Sequence, residues 1–484
     1  MYLLTMHWKL FLLLISSHYV MSFMKNSMWK DHPHWKLIEK TYGTKPEIID
    51  TNIDVGEPLI LTPFVKSNQI KEARQAARVN ETLLMADIES YAGYLTVNEK
   101  HNGNLWFWYF PVQSKSVNET PLILWLQGGP GASSLYGLFQ EIGPFTPVDN
   151  RILHDNKYSW GKNHSLLFID NPVGAGFSFT DNDGYATNQT TIGENLYTAL
   201  QQFMTIFPEL RTAPLFIAGE SYAGKHIPSL GIQIHWHKNQ EKPINLQGLA
   251  IGNGFIDPIT IIRYSYFLRE IGIIDDKTAD IMKSLESNAE MLINNRSNED
   301  AFMLFGKILD IIRVKGNLDN LYNYLKDDFE FYNSFSKFVQ MPNMRRALHV
   351  GNTTFSHPGH VYYNLIPDFV NSAKPWLEEL LENYRVLVYS GHLDCMVPYH
   401  ASVHTYMSLD YSGAKEYKNT TRFPWYHNHT LVGYYKTGGN LLEVMVRGAG
   451  HMVPIDKPAQ ALGLITAFIQ NVTSSTVDTG ELIN

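Results

Sequence analysis

The sequence predicts an α/β fold with a mostly parallel central sheet and helices on both faces. The first observation is a series of short apolar runs, each ending at glycine or a turn signal: "PLILWLQGG", "SLLFIDNP", "PLFIAGE", "LQGLAIGNG" and "YRVLVYSG". The second is that helical stretches alternate with them, such as "NLYTALQQFMTIF" and "WLEELLENY". Continuous apolar strands separated by helices are typical of a parallel sheet that is buried on both sides.

Two further patterns divide the chain. The aromatic and β-branched segments "ESYAGYLTV" and "NLWFWYFPV", separated by the turn-like "NEKHNG", predict an antiparallel hairpin before the parallel strands. Residues 256–365 lack the strand rhythm, and "DDKTADIMKSLES" and "DNLYNYLKDDFEFY" indicate helices there. We therefore expect a core in two parts, 86–255 and 366–484, with 256–365 inserted as a helical cap over the sheet.

The N-terminus has the layout of a secretory signal peptide. Lys9 precedes the apolar run 10–15, and small residues near Ser22 offer a cleavage site, so residues 1–22 are predicted to be removed. An amphipathic anchor is the alternative. Residues 23–85 are polar and irregular and indicate an N-terminal extension or pro-segment, in which only "KEARQAARVN" looks helical. A secreted protein is expected, with a lysosome-like compartment as the other location.

Composition limits the partners. The 484 residues carry a formal net charge of -8 without long charge runs, which argues against a nucleic-acid partner. No later segment is apolar for long enough to span a bilayer, so no membrane partner is expected. Cys395 is the only cysteine, which excludes an intramolecular disulfide. We expect it to be a small buried hydrophobe, the alternatives being a nucleophile or a link between two chains. The sequence leaves the oligomeric state open.

Acceptor sequences for N-glycosylation agree with secretion. Asn118 is the weakest of them because Pro121 follows its Thr120. The acceptor asparagines are Asn80, Asn118, Asn163, Asn188, Asn295, Asn352, Asn419, Asn428 and Asn471.

A candidate nucleophile, Ser221, lies between the apolar strand "PLFIAG" and the predicted helix "YAGKHIPSLGIQIHW". A strand, a sharp turn and a helix are the context of a nucleophile elbow, in which small residues flank the serine. Gly219 and Ala223 are those residues, whereas Gly224 falls one place later than the usual pattern. A helix N-cap serine is the alternative. Glu220, directly before the serine, is unexpected because a negative charge hinders the loss of the hydroxyl proton.

Two more candidates follow later strands in the order that an α/β-hydrolase fold requires. Asp394 follows the strand "RVLVYSG", and His451 lies in the glycine-rich loop after "LLEVMV", before a helix predicted to begin near Pro458. His451 would take the serine proton as general base. Asp394 would fix the tautomer of His451 and stabilise the imidazolium that forms.

The loop "LILWLQGGPGASSLYG" is a candidate oxyanion site. Gly128, Gly129 and Gly131 allow close backbone approach, and the N–H of Tyr222 would be the second donor. A phosphate cradle is the competing interpretation, but the loop has neither G-x-G-x-x-G spacing nor a P-loop lysine. The histidines of "HWH" (235–237) and "HNH" (427–429) lack zincin spacing, so we expect neither a metal nor a cofactor.

Five motifs together resemble the serine carboxypeptidase family, and most closely its vitellogenic-like branch of secreted animal enzymes, which includes venom members. The motifs are "WLQGGPGASSLYGLFQEIGP", "DNPVGAGFSF", "GESYAGKHIP", "YSGHLD" and "RGAGHMVPIDKPAQAL". The resemblance covers residues from about 88 to 470. It implies an α/β-hydrolase fold with a helical insertion over the site, and an exopeptidase that removes the C-terminal residue of peptides and proteins.

The resemblance also implies roles for individual residues. Ser221, Asp394 and His451 match the family's triad, and Gly129 and Tyr222 match its oxyanion donors. Positions matching those that hold the substrate's terminal carboxylate are Trp125, Gln127, Gly128, Glu220 and its partner Glu141. Positions expected to border the pocket for the departing residue are Tyr136, Gln140 and Met452.

Sharing a proton with Glu141 would remove the objection to Glu220 beside a nucleophile. Two adjacent carboxyls hold one proton tightly, and the protonated pair can donate a hydrogen bond to a substrate carboxylate. An acidic pH optimum follows from this expectation.

Three positions depart from the family pattern, namely Gln127 in place of Asn, Ala132 in place of Cys and His226 in place of Tyr. None removes a catalytic group. An esterase or acyltransferase on the same scaffold is the alternative function, and an inactive binding protein is a third.

Overall fold

The structure is a computed structural model that describes residues 32–42, 53–84, 86–113, 115–148, 152–327, 334–427 and 429–473. The predicted signal peptide, residues 1–22, and the acceptor Asn428 lie outside the described residues. Within these ranges, none of the helices has both the length and the apolar character needed to cross a membrane.

Twelve strands are described. Their bounds are β1 Tyr91–Asn98, β2 Gly103–Phe110, β3 Leu122–Leu126, β4 Phe145–Val148, β5 Ile152–Asp155, β6 Ser165–Ile169, β7 Leu215–Glu220, β8 Leu246–Gly252, β9 Arg385–Gly391, β10 Phe423–His427, β11 Thr430–Gly438 and β12 Leu441–Val446. Ten form one sheet in the order β1-β2-β6-β3-β7-β8-β9-β12-β11-β10, and β4 pairs with β5 in a separate hairpin.

Six central strands are all parallel to one another, and in sheet order they are β6, β3, β7, β8, β9 and β12. Antiparallel pairs flank them on both sides. The predicted mostly parallel sheet is therefore confirmed. The predicted hairpin is β1 with β2, which pair antiparallel. The sequence did not indicate the second antiparallel edge, β10 with β11.

The helices have the following bounds: α1 Pro33–Tyr42, α2 Thr62–Lys66, α3 Ile70–Ala77, α4 Glu81–Leu84, α5 Gln189–Ile206, α6 Ala223–Trp236, α7 Pro258–Ile261, α8 Ser265–Glu270, α9 Asp276–Asn294, α10 Asn298–Lys315, α11 Ser334–Val339, α12 Pro342–Ala347, α13 Gly359–Phe369, α14 Lys374–Leu381, α15 Tyr399–Ser408, α16 Ala414–Asn419, α17 Val453–Asp456 and α18 Pro458–Thr473. A π-helix spans Gly137–Ile142, and short 3-10 helices span Trp160–Lys162, Asn182–Gly184 and Pro208–Arg211.

Helices cover both faces of the sheet. On β7, Phe216 packs against Phe468 of α18, with ring centroids 5.9 Å apart. Its neighbour Ile217 pairs in register with Leu249 of β8, and Leu249 lies against Gly231 of α6. Because successive strand residues point to opposite faces, α6 and α18 lie on opposite sides of the sheet. Because β7, β8, β9 and β12 are parallel, the carboxyl ends of β7, β9 and β12 lie at one edge of the sheet.

Two local expectations were wrong. Residues 23–85 were expected to be irregular apart from one helix; α3 overlaps that piece, but α1, α2 and α4 are also helical. Within residues 256–365, "DNLYNYLKDDFEFY" was expected to be helical, yet residues 319–327 form turns, and the rest of this segment, 328–332, lies outside the described residues. The Asn320 side chain accepts hydrogen bonds from the N–H groups of Tyr322 and Asn323, and this local pairing competes with a helix. The other described residues between β8 and β9 include helices α7 to α14 and no strand.

Candidate active site

Ser221 sits on a sharp turn between β7 and α6. Its φ is +62°, a left-handed conformation that a non-glycine residue adopts only under constraint from its surroundings. The backbone supplies this constraint, because the Ser221 N–H donates to Gly252 O and the Ser221 carbonyl accepts from Gly224 and Phe255 N–H, each at 2.9 Å. The strand–turn–helix geometry of a nucleophile elbow is present.

The glycines around this turn are required by close approach. A Cβ on Gly219 would lie 2.1 Å from Leu126 O, and one on Gly224 would lie 2.7 Å from Phe255 N. Gly224 thus lets α6 approach the loop after β8, which gives a physical reason for its place one residue later than the usual motif.

His451 and Asp394 meet at the carboxyl edge of the sheet. His451 Nδ1 lies 2.7 Å from Asp394 Oδ2, and both side chains are fully buried. The other oxygen of Asp394 accepts from the N–H groups of Met396 (2.6 Å) and Val397 (3.2 Å). These bonds fix the carboxylate, and the carboxylate in turn orients the imidazole.

Asn253 completes the set of donors to Asp394, and the sequence analysis missed it. Its Nδ2 donates to Asp394 Oδ2 at 2.7 Å, while its Oδ1 accepts from Gly391 N–H at 3.1 Å. Asn253 directly follows β8 and has a φ of +41°, which asparagine tolerates better than most residues. A polar residue at the carboxyl end of a buried strand was the signal that could have identified it.

The imidazole of His451 is covered from the cap side. Tyr322 lies with its ring centroid 4.8 Å from that of His451, and its carbonyl accepts the His451 N–H at 2.7 Å. Asp456 joins the two loops, because its Oδ2 accepts from Gly450 N–H (2.7 Å) and Asn323 Nδ2 (3.0 Å). Nε2 of His451 is buried without a hydrogen-bonding partner among the described residues. That leaves one ring nitrogen available for proton transfer.

The predicted oxyanion loop lies directly on the elbow. A Cβ on Gly128 would be 2.7 Å from both Ser221 Cβ and Tyr222 N, so only glycine allows this approach. Gly129 follows with a φ of +111°. The structure therefore brings Gly128, Gly129 and Tyr222 together beside Ser221, as an oxyanion site requires.

Asp170 supports the oxyanion loop from below and was also missed by the sequence analysis. The carboxylate accepts from Ser133 Oγ (2.5 Å), Ser134 N–H (2.9 Å) and Phe177 N–H (2.8 Å). Burial raises the pKa of Asp170 to about 7, although the three hydrogen bonds oppose the rise. With Ala132 in place of a disulfide-forming cysteine, the loop is held by these contacts and by packing.

The predicted carboxylate-binding residues form one buried network. Trp125 Nε1 donates to Gln127 Oε1 at 2.8 Å, which orients the amide. Gln127 Nε2 then donates to Glu220 at 2.9 Å and to Glu141 at 3.4 Å. Trp125 thus positions Gln127 in this structure, and Gln127 joins the two acids.

Both acids have perturbed pKa values. Burial, and then the negative charge of Glu141, raises the pKa of Glu220 well above its usual range. Burial also raises the pKa of Glu141, against hydrogen bonds from Glu220 and Gln127. Each carboxyl has one oxygen, Oε2, without a conventional partner among the described residues. One proton shared by the pair would satisfy both.

Of the three predicted pocket residues, two adjoin Glu141 in or directly before one π-helix, and the third follows His451. Tyr136 immediately precedes the π-helix Gly137–Ile142, which carries Gln140 and Glu141. Met452 follows His451 and precedes α17, which packs against the π-helix. Such π-helical turns occur frequently at functional sites.

The other residues that the sequence singled out do not belong to the catalytic, oxyanion or carboxylate-binding groups described above. Cys395 is buried, and burial raises the pKa of its thiol well above the usual value, which disfavours the thiolate of a nucleophile. His226 bonds to Gln189 on α5, and its ring lies 5.3 Å from that of Tyr222. His237 stacks on Tyr197. Among the described residues, no group of three or more His, Cys, Asp or Glu could hold a metal ion.

The described acceptor asparagines differ in exposure. Asn188 is half-buried and caps α5 by accepting from Thr191 N–H, and Asn471 is also half-buried. The exposed acceptors are Asn80, Asn118, Asn163, Asn295, Asn352 and Asn419.

This chain is similar in sequence to known serine carboxypeptidases. The family model described as serine carboxypeptidase, peptidase family S10, matches residues 81–471. The chain is 42% identical over 431 residues to the venom serine carboxypeptidase of Apis mellifera, covering 86% of this chain and 92% of that one. It is 42% identical over 427 residues to the vitellogenic carboxypeptidase of Aedes aegypti, covering 85% and 90%. The probable serine carboxypeptidase CPVL of Homo sapiens is 39% identical over 435 residues, covering 86% and 90%.

A solved structure shares the fold. The crystal structure of Kex1(delta)p, a prohormone-processing carboxypeptidase from Saccharomyces cerevisiae, matches with a TM-score of 0.75 and 26% identity. The match covers 82% of this chain and 96% of that one. The expected α/β-hydrolase fold is thereby confirmed.

Proposed function

The chain belongs to the serine carboxypeptidase family and is a serine carboxypeptidase, and from that premise we propose that it removes the C-terminal residue of peptides and proteins through an acyl-enzyme on Ser221. The observation that carries the proposal is the buried pair Glu141–Glu220, joined by Gln127 and adjacent to the elbow serine. A hydrolase without a carboxylate to recognise has no need of such a pair.

The mechanism follows from the positions of the groups. Ser221 Oγ attacks the carbonyl carbon of the last peptide bond while His451 Nε2 takes its proton. The N–H groups of Gly129 and Tyr222 stabilise the oxyanion. His451 then donates that proton to the departing amine, the C–N bond breaks, and water hydrolyses the ester by the same route.

Recognition of the chain end is assigned to the acid pair. In its singly protonated form the pair, together with the amide of Gln127, offers hydrogen-bond donors to the terminal carboxylate of the substrate. The carboxylate is then held next to Ser221, so the last peptide bond is the one presented for attack. Since the pair must keep its proton, this proposal includes an acidic pH optimum.

Secretion is part of the same proposal. The signal-like residues 1–22 and the exposed acceptor asparagines support a glycoprotein that enters the secretory pathway. Treatment of the expressed protein with an N-glycosidase tests this point. A mass unchanged by the enzyme would contradict it.

Three measurements test the enzymatic proposal and its alternative. A blocked dipeptide and its C-terminal amide are compared at acid pH, and we expect much faster cleavage of the free acid; faster cleavage of the amide would exclude an exopeptidase. An organophosphate is expected to label the native protein and to leave Ser221→Ala unlabelled. An added alcohol acceptor distinguishes an acyltransferase, because its products would be esters of that alcohol.

A further inference from the structure

The first turn of α1 is buried in the helical region between β8 and β9. His32, Trp35 and the intervening His34 are only 2%, 3% and 5% exposed. The His32 ring stacks on Phe302 of α10 at 4.0 Å and its Nε2 lies 2.9 Å from Phe302 O. A Cβ on Gly306 would come within 2.3 Å of His32 Nε2. Glycine at this position of α10 therefore makes room for the His32 ring. This segment therefore occupies a fitted site.

His34 reaches from α1 into a cavity at the proposed nucleophile. Its Nδ1 lies 2.9 Å from Tyr362 Oη, and its ring contacts Phe305 and Phe369 with centroids 5.4 and 5.1 Å apart. The space left in the cavity is about 10 Å³, which is close to the smallest volume that holds one water. The residues that line it are His34, Gly129, Ser221, Tyr222, Phe255, Phe305, Phe369, Met396 and Val397.

The identity of these residues indicates which side of the scissile bond the cavity serves. It includes Ser221 and both proposed oxyanion residues, Gly129 and Tyr222, but none of the side chains in the carboxylate-binding network. If that network holds the departing residue, the cavity lies on the acyl side, where the side chain of the penultimate residue must go. Its walls are three phenylalanines with a methionine and a valine, which suit an aromatic or large aliphatic side chain.

Resting on the proposed function, we propose that α1 is an internal occupant of the substrate cleft, with His34 filling the pocket for the penultimate side chain. The helix must then move before a peptide with a large apolar penultimate residue can bind. Detachment of the first turn of α1 is thus a step that precedes catalysis, and the chain carries its own competitive ligand.

The charge of the seated histidines makes this occupancy sensitive to pH. Burial lowers the pKa of His32 to about 4, and burial together with His32 and His451 lowers that of His34 well below its usual range. On a released helix both would titrate near 6.5. The docked form is therefore fully favoured above pH 6.5 and loses stability as pH falls toward 4.

The other groups around these rings do not reverse that direction. His34 faces the phenol of Tyr362, and the charge of His451 acts on its pKa in the same direction as burial. His32 faces the apolar ring and the carbonyl of Phe302. On the outer side, His357 lies 3.9 Å from Glu39 of α1, and this pair gains attraction on acidification. Both partners are partly exposed, so the pair contributes little.

Kinetics of full-length variants test the occupancy. His34→Ala empties the pocket, and Trp35→Ala weakens docking without altering the cavity, because Trp35 packs on His357 and Tyr362 and does not line it. We expect both variants to raise kcat/KM for a blocked Phe-Leu dipeptide about tenfold at pH 7, and less at pH 5, where the wild type is already partly released. Glu39→Gln, on the exposed face of the same helix, is the control and should behave like the wild type.

The outcomes separate this inference from the proposed function. Unchanged kcat/KM in both variants, with normal organophosphate labelling of Ser221, would overturn the occupancy and leave the carboxypeptidase assignment standing. Loss of labelling in every protein would overturn both. A direct measurement is hydrogen exchange in Ser221→Ala saturated with blocked Phe-Leu: exchange in residues 33–42 should rise. A fall would mean that α1 is a fixed wall of the pocket and would overturn the proposal.

Discussion

Gln127 Nε2 donates to Glu220 Oε1 across 2.9 Å, immediately before the serine of the elbow. The same amide nitrogen also donates to Glu141, and the amide oxygen of Gln127 accepts a hydrogen bond from Trp125 Nε1. One side chain therefore fixes the position of both acids. The glutamine side chain is long enough to reach both carboxyls with its one amide nitrogen.

The first prediction concerns pH. Because the pKa values of Glu141 and Glu220 are raised, the pair is protonated at acid pH and loses its shared proton as pH rises. KM for a peptide with a free terminal carboxylate should then increase with pH, since two negative carboxyls repel it. KM for an ester or amide that lacks this carboxylate should stay nearly constant. Identical KM profiles for both substrate types would refute the role of the pair.

The variant Glu141→Gln sharpens that prediction. Glutamine cannot share a proton with Glu220, and its amide hydrogen bond favours the ionised form of Glu220. The rise of KM for the free acid should therefore begin at lower pH than in the wild type. The amide substrate serves as the control, because its KM should not respond to the substitution.

The second prediction is that Asn253 positions Asp394. Loss of a hydrogen bond to a charged group costs about 1.5–3 kcal/mol, so Asn253→Gly should lower kcat/KM about 10- to 100-fold. Glycine is chosen because it accepts the φ of +41° without strain. Asn253→Asp should be at least as damaging, since it sets a second carboxylate against Asp394.

A matched control for Asn253 exists in the β1–β2 turn. Asn102 has a similar φ of +49° and lies outside the candidate site. Asn102→Gly should leave kcat/KM unchanged. Wild-type activity in Asn253→Gly, measured on protein with wild-type thermal stability, would show that Asp394 needs no such support.

The third prediction concerns the contact between the oxyanion loop and the elbow. A Cβ at position 128 would lie 2.7 Å from Ser221 Cβ and Tyr222 N, so Gly128→Ala must push Gly129 away from the elbow. Loss of one oxyanion donor typically lowers kcat about 10²–10³-fold, and we expect a fall of that order. Gly463→Ala in α18 is the control, because its nearest neighbour would be at 3.8 Å. Equal activity of the two variants would contradict this account of the loop.

The sequence could predict a triad because each candidate follows a strand with a clear apolar pattern, and that triad stays a prediction. Parallel strands bring Ser221, Asp394 and His451 to the same edge, so strand ends alone predict their proximity. Asn253 and Asp170 follow strands too, but their partners are a distant carboxylate and a distant loop. Their positions at strand ends mark both residues in the sequence, but a single sequence does not indicate which distant groups they bind.

The errors have a similar physical origin. Helix α1 buries its first turn against α10 and α13. The sequence of α1 alone does not show that these two helices cover it. Residues 319–327 were misread because Tyr322 packs on His451 and the N–H of Tyr324 donates to Leu393 O, and these contacts with distant loops replace helical hydrogen bonds. In both cases tertiary contacts override the local pattern.

The last prediction tests whether the turn 319–327 holds His451 in place. Asp456 Oδ2 accepts from Gly450 N–H on the His451 loop and from Asn323 on the cap turn, and Oδ1 accepts from Lys326 Nζ at 2.6 Å. Asp456→Asn removes the negative charge and places an amide NH₂ against groups that are themselves hydrogen-bond donors. The unmade hydrogen bonds should destabilise this contact by about 1–3 kcal/mol. We expect kcat to fall about tenfold with little change in KM, because the base moves while the carboxylate network stays.

Asp310→Asn provides the control for Asp456. Asp310 forms an exposed ion pair with Arg313, a type of contact worth about 0–1 kcal/mol, so its loss should change neither kcat nor thermal stability measurably. If Asp456→Asn raised KM for free-acid substrates instead of lowering kcat, the turn would be supporting the acid pair. Asp456 belongs to α17, which packs against the π-helix carrying Glu141 and is separated from His451 only by Met452, so either role is structurally open to it. A lower kcat indicates that Asp456 holds His451, whereas a higher KM indicates that it supports the acid pair.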